Sequence, residues 1–360
     1  MTQWFSALPV PVQAALVGAL PATLVGFLRD LLWKWWVDRK VTKRSAENVY
    51  RRYAEPLASA ATSLFWRLKE TFGGDGRASY LAAREPKTIF ENYKLRSTYY
   101  RLAALLGWIR ALRRELSFFR LQGEDRLNIV ENAIANLEAS LADGHHVELQ
   151  RLDGLLEIWG LTQVADSQLR LRLAVEVENC AKRYLQRVSV TAATDLPMAQ
   201  QNELCHEIAQ LVCARANLAS VSAEVLKETQ SRATRQIANK QAWLYRDWQA
   251  AIGDLMIREA TAGNRRFEVL GFGEFESMVL GPSQDQFRSL WRIAMLFDEL
   301  DLERDNPFDA RPVALRKLYQ ATAQMVKVIS EAPSSASLID SKTAEEARLA
   351  LQVFAGHGRA

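Results

Sequence analysis

Apolar residues recur every three or four positions along the chain from residue 40 onward, and strict alternation of apolar and polar residues is almost absent. This period is typical of amphipathic α-helices. Glycine and proline interrupt the pattern and divide it into separate helices. We predict helices at about 40–54, 57–71, 90–120, 124–142, 146–159, 164–189, 198–219, 222–261, 284–302, 311–330 and 343–354. The predicted fold class is all-α, with a short strand at Phe267–Leu270 as the one exception.

The N-terminal segment predicts a membrane anchor. Residues 1–28 carry no charged side chain, and Val10–Leu28 would span about 28 Å as a helix, close to the ~30 Å hydrocarbon core. Eight basic and three acidic residues follow in the next 24 positions, so the positive-inside rule places the N-terminus outside and the body in the cytoplasm. The predicted interfacial residues are Trp4, Trp33, Trp35, Trp36, Arg39, Lys40, Lys43 and Arg44.

We therefore expect a single-pass protein of the inner (plasma) membrane, with one N-terminal transmembrane helix followed by a multi-helix cytoplasmic bundle. The alternative is a helix that lies in the membrane interface or inside a protein core. Small residues at a spacing of four form one face of the predicted span, which favours close helix packing and a homo-oligomer. These predicted packing residues are Ala14, Gly18, Ala22 and Gly26.

Charge and chain breaks suggest four regions. Residues 1–120 carry 20 Lys and Arg against 9 Asp and Glu, whereas the whole chain has a net charge of only +4. We predict a membrane anchor at 1–38, basic juxtamembrane helices at 39–122, a helical body at 123–332 with a possible boundary at 195–197, and a flexible tail at 333–360. The basic charge beside the anchor suits the anionic lipid of the inner leaflet.

The second half of the basic region is the candidate site for an anionic partner. Its arginines are interleaved with aromatic residues, a composition that suits nucleic acid as well as anionic lipid. A solvated helix face explains the same pattern, and we expect lipid or solvent rather than nucleic acid. The candidate residues are Arg96, Arg101, Arg110, Arg113 and Arg114.

No pattern predicts a catalytic, metal or cofactor site. Glu203 and His206 have the spacing of one helical metal-ligand pair, but a di-metal bundle needs a second such pair. Gly271 and Gly273 begin like a dinucleotide fingerprint, yet Glu276 replaces the third glycine. The three cysteines are too few for a disulfide framework, so buried thiols are expected.

The aromatic segment 241–253 predicts either core packing or a groove for a partner. With no catalytic pattern, the favoured function is interaction: a scaffold or sensor on the cytoplasmic face that binds an unidentified protein partner and anionic lipid. A membrane-perturbing effector, such as one of bacterial anti-phage defence, is the first alternative. A helical nucleic-acid-binding protein and an enzyme with a dispersed active site are the others.

Overall fold

The structure, a computed structural model, describes residues 47–73, 78–82, 87–116, 125–142, 147–190, 193–238, 242–280, 288–302, 309–332 and 338–357. Its helices are α1 (47–72), α2 (Ile89–Leu116), α3 (Asp125–Ala142), α4 (Val147–Ile158), α5 (Ser167–Arg187), α6 (Met198–Ala216), α7 (Ala223–Ala238), α8 (Arg246–Met256), α9 (Phe272–Leu280), α10 (Arg288–Phe297), α11 (Arg311–Glu331) and α12 (Ser341–His357). Single 3₁₀ turns lie at Ser79–Leu81 and Ala193–Asp195.

The described part of the chain is mostly helical, which confirms the all-α class. Two short strands, β1 (Ile257–Glu259) and β2 (Phe267–Val269), pair antiparallel, with Arg258 opposite Glu268. The predicted strand at Phe267–Leu270 is thus confirmed. Among the described residues, no helix has the length and apolar character needed to cross a bilayer. The predicted span Val10–Leu28 lies outside the residues that the structure describes.

The largest hydrophobic cluster, here called the major core, is built from both ends of the described chain. Helices α1, α2 and α3 contribute to it from the N-terminal side, and α8 to α12 contribute from the C-terminal side. Along α1, buried residues such as Tyr53, Leu57, Ala61 and Leu64 recur at helical spacing, so one face of the helix packs inward. Helix α11 packs against both α3 and α12.

Helices α4 to α7 form a second hydrophobic cluster, here called the inserted core, between α3 and α8 in sequence. Each of the four helices contributes at least one fully buried residue, such as Leu155, Val177, Ile208 and Ala233. The three cysteines are buried and free, as the sequence predicts, and all lie in this unit. The possible boundary at 195–197 falls inside the unit, because Leu196 is buried in the same cluster between α5 and α6.

Two helix boundaries differ from the sequence-based predictions. Pro56 was expected to end a helix, but α1 continues through it, since buried residues on both sides, Tyr53 and Leu57, keep both halves packed in the major core. The predicted helix 222–261 is divided into α7 and α8. The chain between them is pinned by the Leu244 N–H, which donates to the Leu141 carbonyl at the end of α3 over 2.9 Å.

Residues 341–357, which belong to the tail that the sequence predicted to be flexible, form α12. This helix packs on α11, and Ala344 and Ala347 are buried in the major core. The side chain of Asp340 accepts a hydrogen bond from the Thr343 N–H over 2.9 Å, which satisfies a donor in the first turn. A polar cap and a buried small-residue face together account for the helix.

A buried hydrogen-bond network holds the β1–β2 hairpin against α1 and α2. The Tyr53 hydroxyl donates to Glu115 over 2.6 Å and accepts from the Phe267 N–H at the start of β2 over 3.1 Å. Burial, with the nearby Glu115 carboxylate, raises the pKa of Tyr53 to about 12. The phenol therefore stays a hydrogen-bond donor throughout the neutral range.

Glycine allows α2 and α8 to approach closely. A Cβ added at Gly253 would lie 2.7 Å from the Arg110 Cβ and 3.0 Å from the carbonyl oxygen of Leu106. A Cβ added at Gly107 would lie 2.9 Å from the Cβ of Met256. The two carbon–carbon distances, 2.7 and 2.9 Å, are shorter than contacts in packed proteins allow, so each glycine is required by the crossing of the two helices.

We predict that Gly253→Ala destabilises the protein by about 1–3 kcal/mol, because α2 and α8 must separate to admit the methyl group. The free energy of unfolding, measured in urea, tests this. Gly273→Ala is the matched control, since a Cβ at Gly273 meets nothing within 4 Å and the residue lies in α9. The control should be neutral or stabilising by up to about 1 kcal/mol. Equal losses in both variants would contradict the close crossing.

Candidate functional site: an aromatic and basic cleft between the two units

A cleft of about 480 Å³ lies where the inserted core meets the major core. Its volume falls within the range of about 300–1,000 Å³ that is typical of small-molecule sites. The inserted unit contributes one wall through α4, α5 and α7, and the major core contributes the other through α8 and α10. Its polar and aromatic lining includes Arg151, Lys182, Trp243, Tyr245, Trp248 and Arg292.

The aromatic side of the cleft follows from the segment that joins α7 to α8. Adjacent residues of this segment enter different cores, since Trp243 is buried in the inserted core and Leu244 in the major core. The Gln249 side chain fixes the segment by donating to the carbonyls of Leu244 (2.7 Å) and Glu138 (2.9 Å). Tyr245 is left half-buried at the junction between the two units.

The three aromatic rings form a continuous series along the cleft. Trp243 and Tyr245 have ring centroids 6.4 Å apart, and Tyr245 meets Trp248 edge to face at 5.0 Å. The Arg292 guanidinium carbon lies 3.2 Å from the centroid of the Trp248 ring, the distance of a face-to-face stack. Arg292 forms no ion pair with any residue that the structure describes, so its N–H groups are free to bind a ligand.

Arg151 differs from the other charged residues of the cleft in its burial and its hydrogen bonding. Its side chain is only 3% exposed, and its Nη1 donates to the Glu178 carboxylate on α5. The Nε and Nη2 atoms are buried and have no hydrogen-bond partner among the described residues. A buried donor without a partner costs about 1–3 kcal/mol, so the fold retains an unfavourable group at this position. A donor of this kind requires an explanation, and a ligand that supplies the missing acceptor is one that fits its place in the wall of the cleft.

Helix α10, which carries Arg292, is held at its C-terminal end by Arg311. The Arg311 guanidinium donates to the carbonyls of Asp298 (2.6 Å) and Met295 (3.3 Å), and it also pairs with the Asp309 carboxylate at 2.7 Å. The last carbonyls of a helix have no partner within the helix, so an arginine at this position satisfies them. These contacts fix the position of α10, and with it the position of Arg292 in the wall of the cleft.

The basic residues that the sequence singled out on α2 bind partners inside the protein. Arg96 pairs with Glu276 at 3.1 Å, and Arg101 donates to the Ser63 carbonyl over 2.8 Å. Burial and the neighbouring Arg67 lower the pKa of Arg101. These two arginines thus link α2 to α9 and to α1.

The remaining three arginines of the predicted site lie together at the C-terminal end of α2. Arg110 forms a bidentate pair with Asp254 at 2.7 and 2.9 Å, and these hydrogen bonds raise its pKa. Arg114 shares the same carboxylate at 2.9 Å, and Arg113 pairs with Glu131 and Glu138. Their charge is therefore largely compensated within the fold, and binding of an anionic partner by them stays a prediction.

The predicted anchor residues lie outside the described residues. They are Trp4, Ala14, Gly18, Ala22, Gly26, Trp33, Trp35, Trp36, Arg39, Lys40, Lys43 and Arg44. Glu203 accepts a hydrogen bond from the Tyr184 hydroxyl over 2.7 Å, and His206 contacts Gln210. In the part of the chain with described positions, no group of three or more potential metal ligands comes together.

Gly271 and Gly273 lie at the start of α9, and the Gly271 N–H donates to the Glu274 carboxylate over 3.0 Å. This contact also lowers the pKa of Glu274. The Glu274 side chain therefore fills the position that a bound anion would occupy at this helix start. The contact is the capping interaction of an ordinary helix.

Sequence reasoning identified the aromatic segment but not the two arginines. Arg151 and Arg292 are 141 positions apart and lie on separate predicted helices, where each resembles an ordinary surface arginine. No local spacing connects them. The only signal available was the density of aromatic residues at 241–253.

Comparison with protein-family models, with curated proteins and with solved structures finds no match to this chain.

Substitution of Glu178 is expected to destabilise the protein more than substitution of its partner Arg151. Glu178→Gln should destabilise the protein by about 3 kcal/mol, because it leaves the Arg151 guanidinium buried without its carboxylate. Arg151→Met should cost less, since the Glu178 side chain is 19% exposed and its carboxylate can be hydrated. The unfolding midpoint in urea measures both changes. A larger loss for Arg151→Met would mean that Arg151 is primarily structural.

Proposed function

We propose that the protein is a membrane-anchored, self-associating sensor whose helical body binds a small anionic ligand in the cleft between its two units. One observation carries the proposal: the buried guanidinium of Arg151 has donors without a partner among the described residues, and it lies in a cleft lined by aromatic rings. A cleft with a few convergent polar groups among apolar surfaces has the composition of a ligand site.

The position of the cleft supports sensing rather than simple storage of a ligand. Arg151 belongs to the inserted unit, whereas Arg292 belongs to a helix of the major core. A ligand that bridges the two arginines binds more tightly when the units are close than when they are apart. Such differential affinity is what allows a ligand to shift a conformational equilibrium.

The membrane part of the proposal is supported by the sequence. The uncharged residues 1–28 and the basic stretch after them fit an N-out anchor in the inner membrane, with the body on the cytoplasmic face. The small-residue face supports self-association. A nucleic-acid-binding function through α2 receives less support, because the Asp254 carboxylate, which Arg110 and Arg114 share, offsets part of their charge.

A probe that combines aromatic rings with an anionic group tests the cleft. We expect 8-anilinonaphthalene-1-sulfonate to bind the folded full-length protein saturably at one site, with a rise in fluorescence. Trp248→Ala and Arg292→Met should each weaken this binding about tenfold, the loss expected for one stacking or charge-assisted contact. The matched control is Arg232→Met, which removes an exposed arginine of α7 that does not line the cleft.

Circular dichroism must show that each variant is folded, because this probe also binds loosely packed states. Unchanged probe binding in both cleft variants would refute the assignment of the cleft as a ligand site.

The anchor predicts that the full-length protein sediments with membranes and is released only by detergent. In detergent it should be an oligomer. Gly18→Ile with Gly26→Ile should reduce the oligomer to smaller species, because bulky side chains prevent close approach of the spans. Light scattering after size-exclusion chromatography measures the mass.

The matched control is Leu16→Ile with Leu24→Ile, which has the same spacing on the bulky face of the span. This variant should keep the wild-type mass. Release of the wild-type protein by a salt wash would argue against a spanning anchor, and equal masses for all three proteins would argue against packing through the small face.

A further inference from the structure

The charges that line the cleft indicate how much negative charge a ligand carries. Arg151, Lys182 and Arg292 provide three cations, and Glu178 provides one carboxylate, which leaves a net charge of +2. Lys182 is exposed and forms no ion pair with any described residue. A phosphate monoester carries about −1.5 to −2 charges at neutral pH, whereas a carboxylate carries one. The balance favours a phosphate.

The geometry of the donors supports the same class of ligand. Arginine presents a planar fork of N–H groups that matches two oxygens of one phosphate. Arg151 offers Nε and Nη2, two donors on the same edge of its guanidinium group, both without a partner among the described residues. Both atoms are closed to solvent, so a phosphate in the cleft bonds to them when the Arg151 side chain turns toward it.

The remaining walls of the cleft suit a flat, neutral ring system. Trp248 and Arg292 form a stack, and nucleobases bind to aromatic rings and to guanidinium planes in this way. Tyr245, at 5.0 Å from Trp248, adds a second ring at the edge of this stack. Inorganic phosphate alone would leave these surfaces without a partner.

We infer that the ligand of the cleft is a mononucleotide, with its base packed against the Trp248–Arg292 stack and its phosphate bound by Arg151 and Lys182. This inference rests on the proposed ligand-binding function of the cleft and adds the chemical class of the ligand. A base and a phosphate also occur together in single-stranded nucleic acid. The enclosed position of Arg151, 3% exposed, favours a free nucleotide, because a continuous strand must enter and leave its site.

Isothermal titration calorimetry of the full-length protein in detergent with AMP and GMP tests the inference. At least one of the two should bind with one site per chain. Adenosine, guanosine and inorganic phosphate should each bind at least about 100-fold more weakly, because each lacks one half of the recognised chemistry. A fluorescent ten-nucleotide single strand should bind no more tightly than the mononucleotide.

Single substitutions test which residues bind the phosphate and which bind the base. Arg151→Met should weaken mononucleotide binding about tenfold or more, and so should Trp248→Ala, while Arg232→Met should leave it unchanged. If Arg151→Met fails to fold, Lys182→Met replaces it, since the exposed Lys182 side chain can be removed without disturbing a core.

The outcomes separate this inference from the proposed function. Saturable, cleft-dependent binding of anilinonaphthalene sulfonate without binding of AMP or GMP overturns the nucleotide and leaves the sensor standing. Tighter binding of the single strand overturns the free nucleotide in favour of nucleic acid. Loss of binding for both the sulfonate probe and the nucleotides overturns the cleft as a ligand site.

Discussion

The position of the two cores relative to each other depends on one point in the chain, where two adjacent residues are buried in different cores. Trp243 is buried in the inserted core and Leu244 in the major core. The Leu244 N–H donates to the Leu141 carbonyl, so the chain returns to the place from which it left about 100 residues earlier. Residues 243–245 are not helical, and at this point the chain passes from one core to the other. The junction remains open on one side, and that opening is the cleft.

Local sequence information predicted most of the helices, because each carries its own apolar stripe and its own breaks. It failed where distant residues decide the conformation. Pro56 lies inside α1 because residues on both of its sides are buried in one core, and β1 forms because β2 is available to pair with it. The division of the predicted helix 222–261 likewise depends on Leu141, which is far away in sequence.

The candidate site was predictable only in part for the same reason. Trp243, Tyr245 and Trp248 form a dense group within six positions, so the sequence itself drew attention to them. Arg151 and Arg292 acquire their significance from burial and stacking, which no local pattern encodes. The reverse holds for the arginines of α2, which form a conspicuous basic series in the sequence. Four of the five candidates pair with carboxylates from other helices, and Arg101 donates to the Ser63 carbonyl.

The discontinuity of the major core has a consequence for the order in which the protein folds during synthesis. Helices α4 to α7 are consecutive, so all four have been synthesised before α8 begins, and only Ala310, which precedes α11, joins their core after α8. The major core includes α12 and cannot be completed until the last helix has left the ribosome. Domains fold as units as they emerge, so the inserted unit has time to fold first. The late helices then close around a wall of the cleft that already exists.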